Sequence, residues 1–228
     1  KQKTAYEIRL SLVGSEMCIR DSTIAVVENV TRDAHPAFDF RRTRLAAFFH
    51  DIGKPKTRSF RKDKGVAFHH HEVVGARMTR DRMQAMRYST DDVEAVCQLV
   101  ELHLRFHTYK MGWTDAAVRR YVRDAGDQLA ELNVLTRCDC TTRNERKAVM
   151  LAKRMDDLEE RIVELGVEEE LGRMRAELNG HEVMTHLGVA PGRVIGDAMD
   201  FLLEIRLDEG LLGREEILRR LDAWWAAR

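Results

Sequence analysis

Several of the nine histidines in this 228-residue chain stand beside carboxylates in otherwise apolar helical patterns. In LAAFFHDIGKP, residues 45–55, Leu45 to Phe49 read as the buried side of a helix, and His50 and Asp51 stand at its end. An imidazole or carboxylate buried there without a partner is costly, and a bound cation would satisfy both. Alone, the stretch is equally an ordinary helix stop, with Gly53 and Pro55 ending the helix and Lys54 suiting its dipole. Further ligands must come from other segments. His69, His70 and His71 precede and open a later helix, His103 and His107 stand four apart on one helical face, and Asp139 interrupts an apolar pattern between Cys138 and Cys140. Several imidazoles with two carboxylates suit a divalent transition metal (Fe, Mn, Co, Ni or Zn) better than Ca or Mg alone. The accumulation over four helical segments carries this expectation, since no single spacing does.

Plainer readings apply to the neighbours. His69 and His70 read as loop histidines, and His107 as either a ligand or an ordinary core or surface histidine. Cys138 and Cys140, about 200° apart on a helix, read as packing residues. His181 and His186 in HEVMTH are five apart, not the four that a zinc-protease helix needs, so that reading is rejected.

The elements that must position these residues are helical. Apolar residues recur mostly at three and four, aromatics are 7% of the chain, and strand-type alternation is rare, which predicts an all-α fold. Helices are expected over 23–32, at RRTRLAAFFHDIG, at HEVVGARMTRDRMQAMR with Val74, Met78, Met83 and Met86 near one side, and after a Ser89–Asp92 capping box. Another runs from Thr114 to Gly126, followed by a long stretch broken near Thr141. KPKTRSFRKDKGVAFHH reads as a basic loop. Leu151, Met155, Leu158, Ile162 and Leu165 form a short heptad seam, expected to be an intramolecular packing face. Short glycine-punctuated helices close the chain, with a soft boundary between about residues 145 and 170.

Lys plus Arg and Asp plus Glu both total 38, so no global basic field exists and any nucleic-acid binding must be local. Four cysteines without a C-x-x-C pair point to a reducing cytoplasm, and no segment reads as a membrane span or signal peptide. Residues 1–22 resemble a translated sequencing-adaptor tail, so the native protein is expected to begin at Thr23, with upstream sequence missing. The expected division is 1–22 non-native, 23–150 an N-terminally truncated metal-binding domain, and 151–228 a helical tail.

HDIGK, HHHEVVGA, LHLRFH and RCDC together resemble the HD-domain superfamily of all-α metal-dependent phosphohydrolases. The resemblance implies metal ligands at His50, Asp51, His71, His103 and Asp139, with His50, Asp51 and Lys54 taking part in phosphoester hydrolysis. It also expects an earlier histidine, and Ser22 occupies that position. From Thr23 to Arg228 the motif order, including WTDAAVRRYVRDAG and LNGHEVMTHLGVAPGRVIGDAMDF, resembles the C-terminal half of a bacterial CCA-adding tRNA nucleotidyltransferase carrying an HD domain. The nearest likeness is the actinobacterial form.

That resemblance implies tRNA as partner and makes the tail its binding part. In GVAPGRVIG, Gly192 and Arg193 stand where a turn leads into a helix, whose exposed amides suit phosphate. Arg143, Arg146 and Lys147 in TTRNERK are a second candidate track. Both also read plainly, as a connector and a solvated helix face. The family's polymerase head needs a Gly-Ser motif and an Asp-x-Asp pair for Mg²⁺, and neither arrangement is found in these residues. Two alternatives remain: a free-standing HD phosphohydrolase acting on a nucleotide or cyclic phosphate, and a structural helical module.

Overall fold

The computed structural model describes residues 19–61, 65–108, 113–140, 144–169 and 174–228. Arg143 lies outside them. The described residues are all-α apart from one small hairpin, and they fall into two compact units, drawn from residues 1–110 with 125–156 and from 111–124 with 157–228.

The first unit opens with α1, residues 19–29. This helix begins inside the segment set aside as non-native, because residues 19–22 simply continue its turns. Next come α2 (Phe40–Phe49), α3 (Lys54–Thr57), strands β1 (Arg58–Arg61) and β2 (Gly65–Phe68), α4 (His71–Ala85), α5 (Thr90–Leu102), α6 (Arg105–Thr108) and α8 (Leu129–Asp139). Helix α5 packs against α2 and α4, and α2 also meets α8. Val26, Ala46, Phe49, Met83, Val96, Leu99 and Leu135 are buried in this unit.

Local chemistry sets the helix ends. Asp39 caps α2 by accepting from the Arg42 amide at 2.9 Å, and Ser89 caps α5 by accepting from the Asp92 amide at 3.2 Å. Asp92 does not complete the expected capping box. Its carboxylate instead takes Arg41 Nη2 at 2.8 and 2.9 Å and Arg42 Nε at 2.8 Å. Two further expectations are corrected. The basic loop contains the antiparallel pair β1–β2, whose four-residue strands are too short to show alternation. Met86 follows the last turn of α4 and is exposed, whereas Met83 is fully buried.

The second unit contains α7 (Asp115–Ala125) apart from its last residue, the later part of α9 (Glu145–Glu169), α10 (Gly180–Leu187), α11 (Arg193–Glu209) and α12 (Arg214–Ala226). Leu178, Val183, Ala198, Leu202, Ile205, Ile217 and Leu221 form its core. Asn179 and Glu182 make a complete capping box at the start of α10, with bonds of 3.0 and 2.9 Å. Of the heptad seam, Leu151, Met155, Leu158 and Leu165 are buried. Among the described residues no helix is long and apolar enough to cross a membrane.

Candidate metal centre

Three helix C-termini of the first unit supply the cluster. His50 is the C-cap of α2, His103 the C-cap of α5, and Asp139 the last residue of α8. Such ends carry partial negative charge and unsatisfied carbonyls. The imidazoles use those carbonyls: His50 Nδ1 donates to Ala47 at 2.7 Å, and His103 Nδ1 donates to Val100 at 2.6 Å. His71, the first residue of α4, donates from Nδ1 to the Phe68 carbonyl at 2.9 Å. Each bond fixes the ring and turns Nε2 inward.

The three Nε2 atoms are buried without a hydrogen-bond partner. His50 Nε2 lies 3.3 Å from Asp51 Oδ2 and 3.4 Å from Asp139 Oδ1, and His71 Nε2 lies 3.4 Å from Asp51 Oδ1. The His103 ring stands 5.4 Å from that of His50 and 5.3 Å from that of His71, centroid to centroid. Ligand atoms of Asp51, His71 and His103 all lie within 4.8 Å of one another, which makes this trio a candidate metal site. Orphaned imidazole nitrogens, carboxylates and three negative helix ends around one point fit a divalent cation.

Burial opposes protonation of His50, but Asp139 and Asp51 outweigh it and lift His50 to about 10. Burial, with His50 nearby, pushes His103 down to about 4, so its imidazole is neutral. Asp51 and Asp139 are both buried, which alone would raise them. His50 and His71 hold Asp51 far below the carboxylate range, and His50 holds Asp139 below its ordinary value.

The turn after His50 depends on close backbone approach. A Cβ on Gly53 would collide with the His71 carbonyl oxygen and lie 2.8 Å from the Gly75 amide nitrogen. The glycine therefore lets the His50–Asp51 turn reach the start of α4. Gly53 also caps α3, with Pro55 in the first turn, so these residues begin a helix as well as following one. A cavity of about 660 Å³ beside α1 is lined by Val27, Phe48, Phe49 and Ile52, and of the cluster only Asp51 borders it. Arg20, Arg44 and Glu28 line it as well.

The HD domain family matches residues 23–166. The chain belongs to the HD-domain family. As an HD-domain protein it is similar to a CC-adding tRNA nucleotidyltransferase of Thermus thermophilus, 33% identical over 185 residues covering 80% of this chain and 39% of the relative. It is also similar to an A-adding tRNA nucleotidyltransferase of Deinococcus radiodurans, 30% identical over 191 residues covering 80% of this chain and 41% of the relative. The HD-domain chain thus spans about two-fifths of the curated relatives it matches.

Within this HD domain, His50, Asp51, His71, His103 and Asp139 come together. Lys54 joins them, donating to Asp51 Oδ2 at 2.6 Å. His69 and His70 are exposed turn residues, and burial pushes the half-buried His107 down. Burial, then Asp139, raises the Cys138 and Cys140 thiols to about 11, in keeping with packing residues. Ser22, on α1, shares a helical face with Val26 and Asn29, and Asn29 donates to the Cys138 carbonyl at 3.4 Å. The RNA-binding candidates lie outside the cluster. Arg146 and Lys147 are exposed at the start of α9, while Gly192 and Arg193 are exposed at the start of α11. Gly192 has extended backbone, φ 176°, and open space around it, so no steric demand for glycine exists there. Sequence reading missed the carbonyls of Ala47, Phe68 and Val100 and the Gly53–Gly75 approach. Every residue carries a carbonyl, so no residue type signals the first. The second leaves only one glycine in each of two distant segments, Gly53 and Gly75.

Proposed function

We propose that this chain is the HD and tRNA-binding portion of a CCA-adding tRNA nucleotidyltransferase of the actinobacterial type. The supporting observation is that similarity to the two tRNA nucleotidyltransferases extends over 185 and 191 residues, more than the HD match at 23–166 contains, so part of it lies outside that domain. Nucleotide addition belongs to a polymerase head, where Mg²⁺ is expected, and not to the residues described here.

The HD centre has its own chemistry, supported by the three orphaned imidazole nitrogens. His50, Asp51, His71, His103 and Asp139 would hold a divalent transition metal, which when bound supplies activation of water and neutralisation of phosphoester charge. His71 and His103 offer nitrogens oriented by backbone carbonyls. Lys54 keeps an ammonium beside Asp51, where a phosphate oxygen can meet it. Ser22→His, which restores the missing imidazole, should raise metal affinity and hydrolysis of a generic phosphodiester. No gain in either counts against an active site.

Gly192 and Arg193 in the tail, and Arg146 and Lys147 at the start of α9 together with Arg143, are the residues we assign to tRNA phosphates. Contacts of this kind grip every tRNA alike, without reading sequence. The setting is cytoplasmic, consistent with free Cys97, Cys138 and Cys140. The test is a tRNA titration at two salt concentrations with wild type, Arg193→Ala and Gly192→Val. Binding should be weak, should fall as salt rises, and should weaken further in Arg193→Ala. Equal binding by all three makes the turn only a connector.

A further inference from the structure

The charge balance of the whole chain, 38 against 38, hides a local excess. Residues 54–61 hold Lys54, Lys56, Arg58 and Arg61 and no acidic residue. This segment contains α3 and β1 and leads towards β2. Its strand register places Arg58 opposite Phe68 and Phe60 opposite Val66, so these four residues share one face of the hairpin.

That face has two distinct ends. At the far end, Phe60 is 62% exposed and Val66 is 39% exposed, with the Arg58 guanidinium 5.1 Å from the Phe60 ring centroid. At the near end, the Lys54 ammonium lies 5.8 Å from the Phe68 ring centroid and also holds Asp51 of the metal centre. The Phe68 carbonyl accepts from His71. The two rows are two residues apart along the strands, about 7 Å. One short continuous face therefore links an exposed aromatic to the cluster of imidazoles and carboxylates.

An exposed ring among cations offers a π-face for a base and charges for the flanking phosphates, the combination that holds single-stranded nucleic acid. We propose that the α3–β1–β2 hairpin is a binding site for single-stranded RNA, with a base stacked on Phe60 and the backbone led towards Lys54 and the metal centre. The substrate class of the centre is then an oligonucleotide rather than a free mononucleotide. Only this last step rests on the hydrolase reading above.

The test uses the 228-residue chain and a fluorescently labelled single-stranded oligoribonucleotide, with anisotropy read at low and at moderate salt. Phe60→Ala should weaken binding about tenfold, and Phe60→Trp should retain it. Lys56→Ala, at an exposed position of α3, should weaken binding a fewfold and lower its salt dependence. Thermal melts establish that the variants fold. Equal binding by folded wild type, Phe60→Ala and Lys56→Ala overturns the proposal. A parallel assay with metal and bis(p-nitrophenyl) phosphate separates the two readings. Phe60-dependent RNA binding without hydrolysis upholds the hairpin site and removes the hydrolase reading. Hydrolysis with RNA binding indifferent to Phe60 does the reverse.

Discussion

Among the described residues, histidine meets aspartate in both units, with opposite results. In the first unit His50 is 1% exposed and faces two carboxylates beside two further imidazoles. In the second, His186 Nε2 meets Asp222 Oδ1 at 2.7 Å, with side chains 32% and 60% exposed. The second unit repeats this pattern elsewhere: Arg214 pairs with Glu182 at 2.6 Å and Arg220 with Glu209 at 3.0 Å, all towards solvent. Surface pairs are satisfied by one another and by water, and contribute about 0–1 kcal/mol each. Buried nitrogens without partners cost roughly 1–3 kcal/mol apiece. Burial beside carboxylates and further imidazoles, rather than residue type, separates the candidate histidines from His186.

The widest separation between the two regions should appear in metal retention. Asp51→Ala is expected to weaken binding of a divalent transition metal at least about 100-fold, measured as metal content after equilibrium dialysis. His186→Ala should retain wild-type content. Equal loss in both variants would break the distinction.

Gly53→Ala probes how the cluster is assembled. Its Cβ collides with backbone of α4, so the expected loss is roughly 2–3 kcal/mol in urea unfolding, with weaker metal binding although no ligand has changed. Unaltered stability and metal content would show that the turn and α4 can separate freely.

Asp92 offers a charged structural site in the first unit for comparison. Arg42 first, and Arg41 with it, hold its carboxyl at about 2 against the ordinary 3.8. The stability it contributes is complete above 3.8 and is lost as pH falls through about 2. Asp92→Asn should cost about 2 kcal/mol at neutral pH and show a shallower acid limb over that window. Parallel acid limbs in the two proteins would refute the assignment. The smallest effect belongs to Asp222→Asn, within about 0.5 kcal/mol by thermal melting. A much larger loss would mean that the His186 pair is structural in its own right.

Much of the fold was legible because helices are local. Apolar spacing identified the helical class, Thr114 stands just before α7 and accepts from the Ala117 amide at 3.2 Å, and Gly126, with φ +51°, follows its end. The hairpin was not legible, since four-residue strands carry too little pattern for alternation to register. Nor was the grouping of residues 113–124 with the second unit, because partner choice between amphipathic helices depends on shapes that no single helix encodes.

The same division runs through the site. Residue types and order by themselves determined that His50–Asp51, His71, His103 and Asp139 had donor chemistry suited to a metal, and that His50–Asp51 and His71 lay at helix ends; the structure adds His103 and Asp139 to those ends. Only the tertiary structure decided that these ends meet, that Ala47, Phe68 and Val100 orient the three rings, and that Gly53 lets the turn close on α4. The reason is physical. Ligand identity is a property of a side chain, whereas the approach of three imidazoles to one another and to two carboxylates exists only once distant helices have packed.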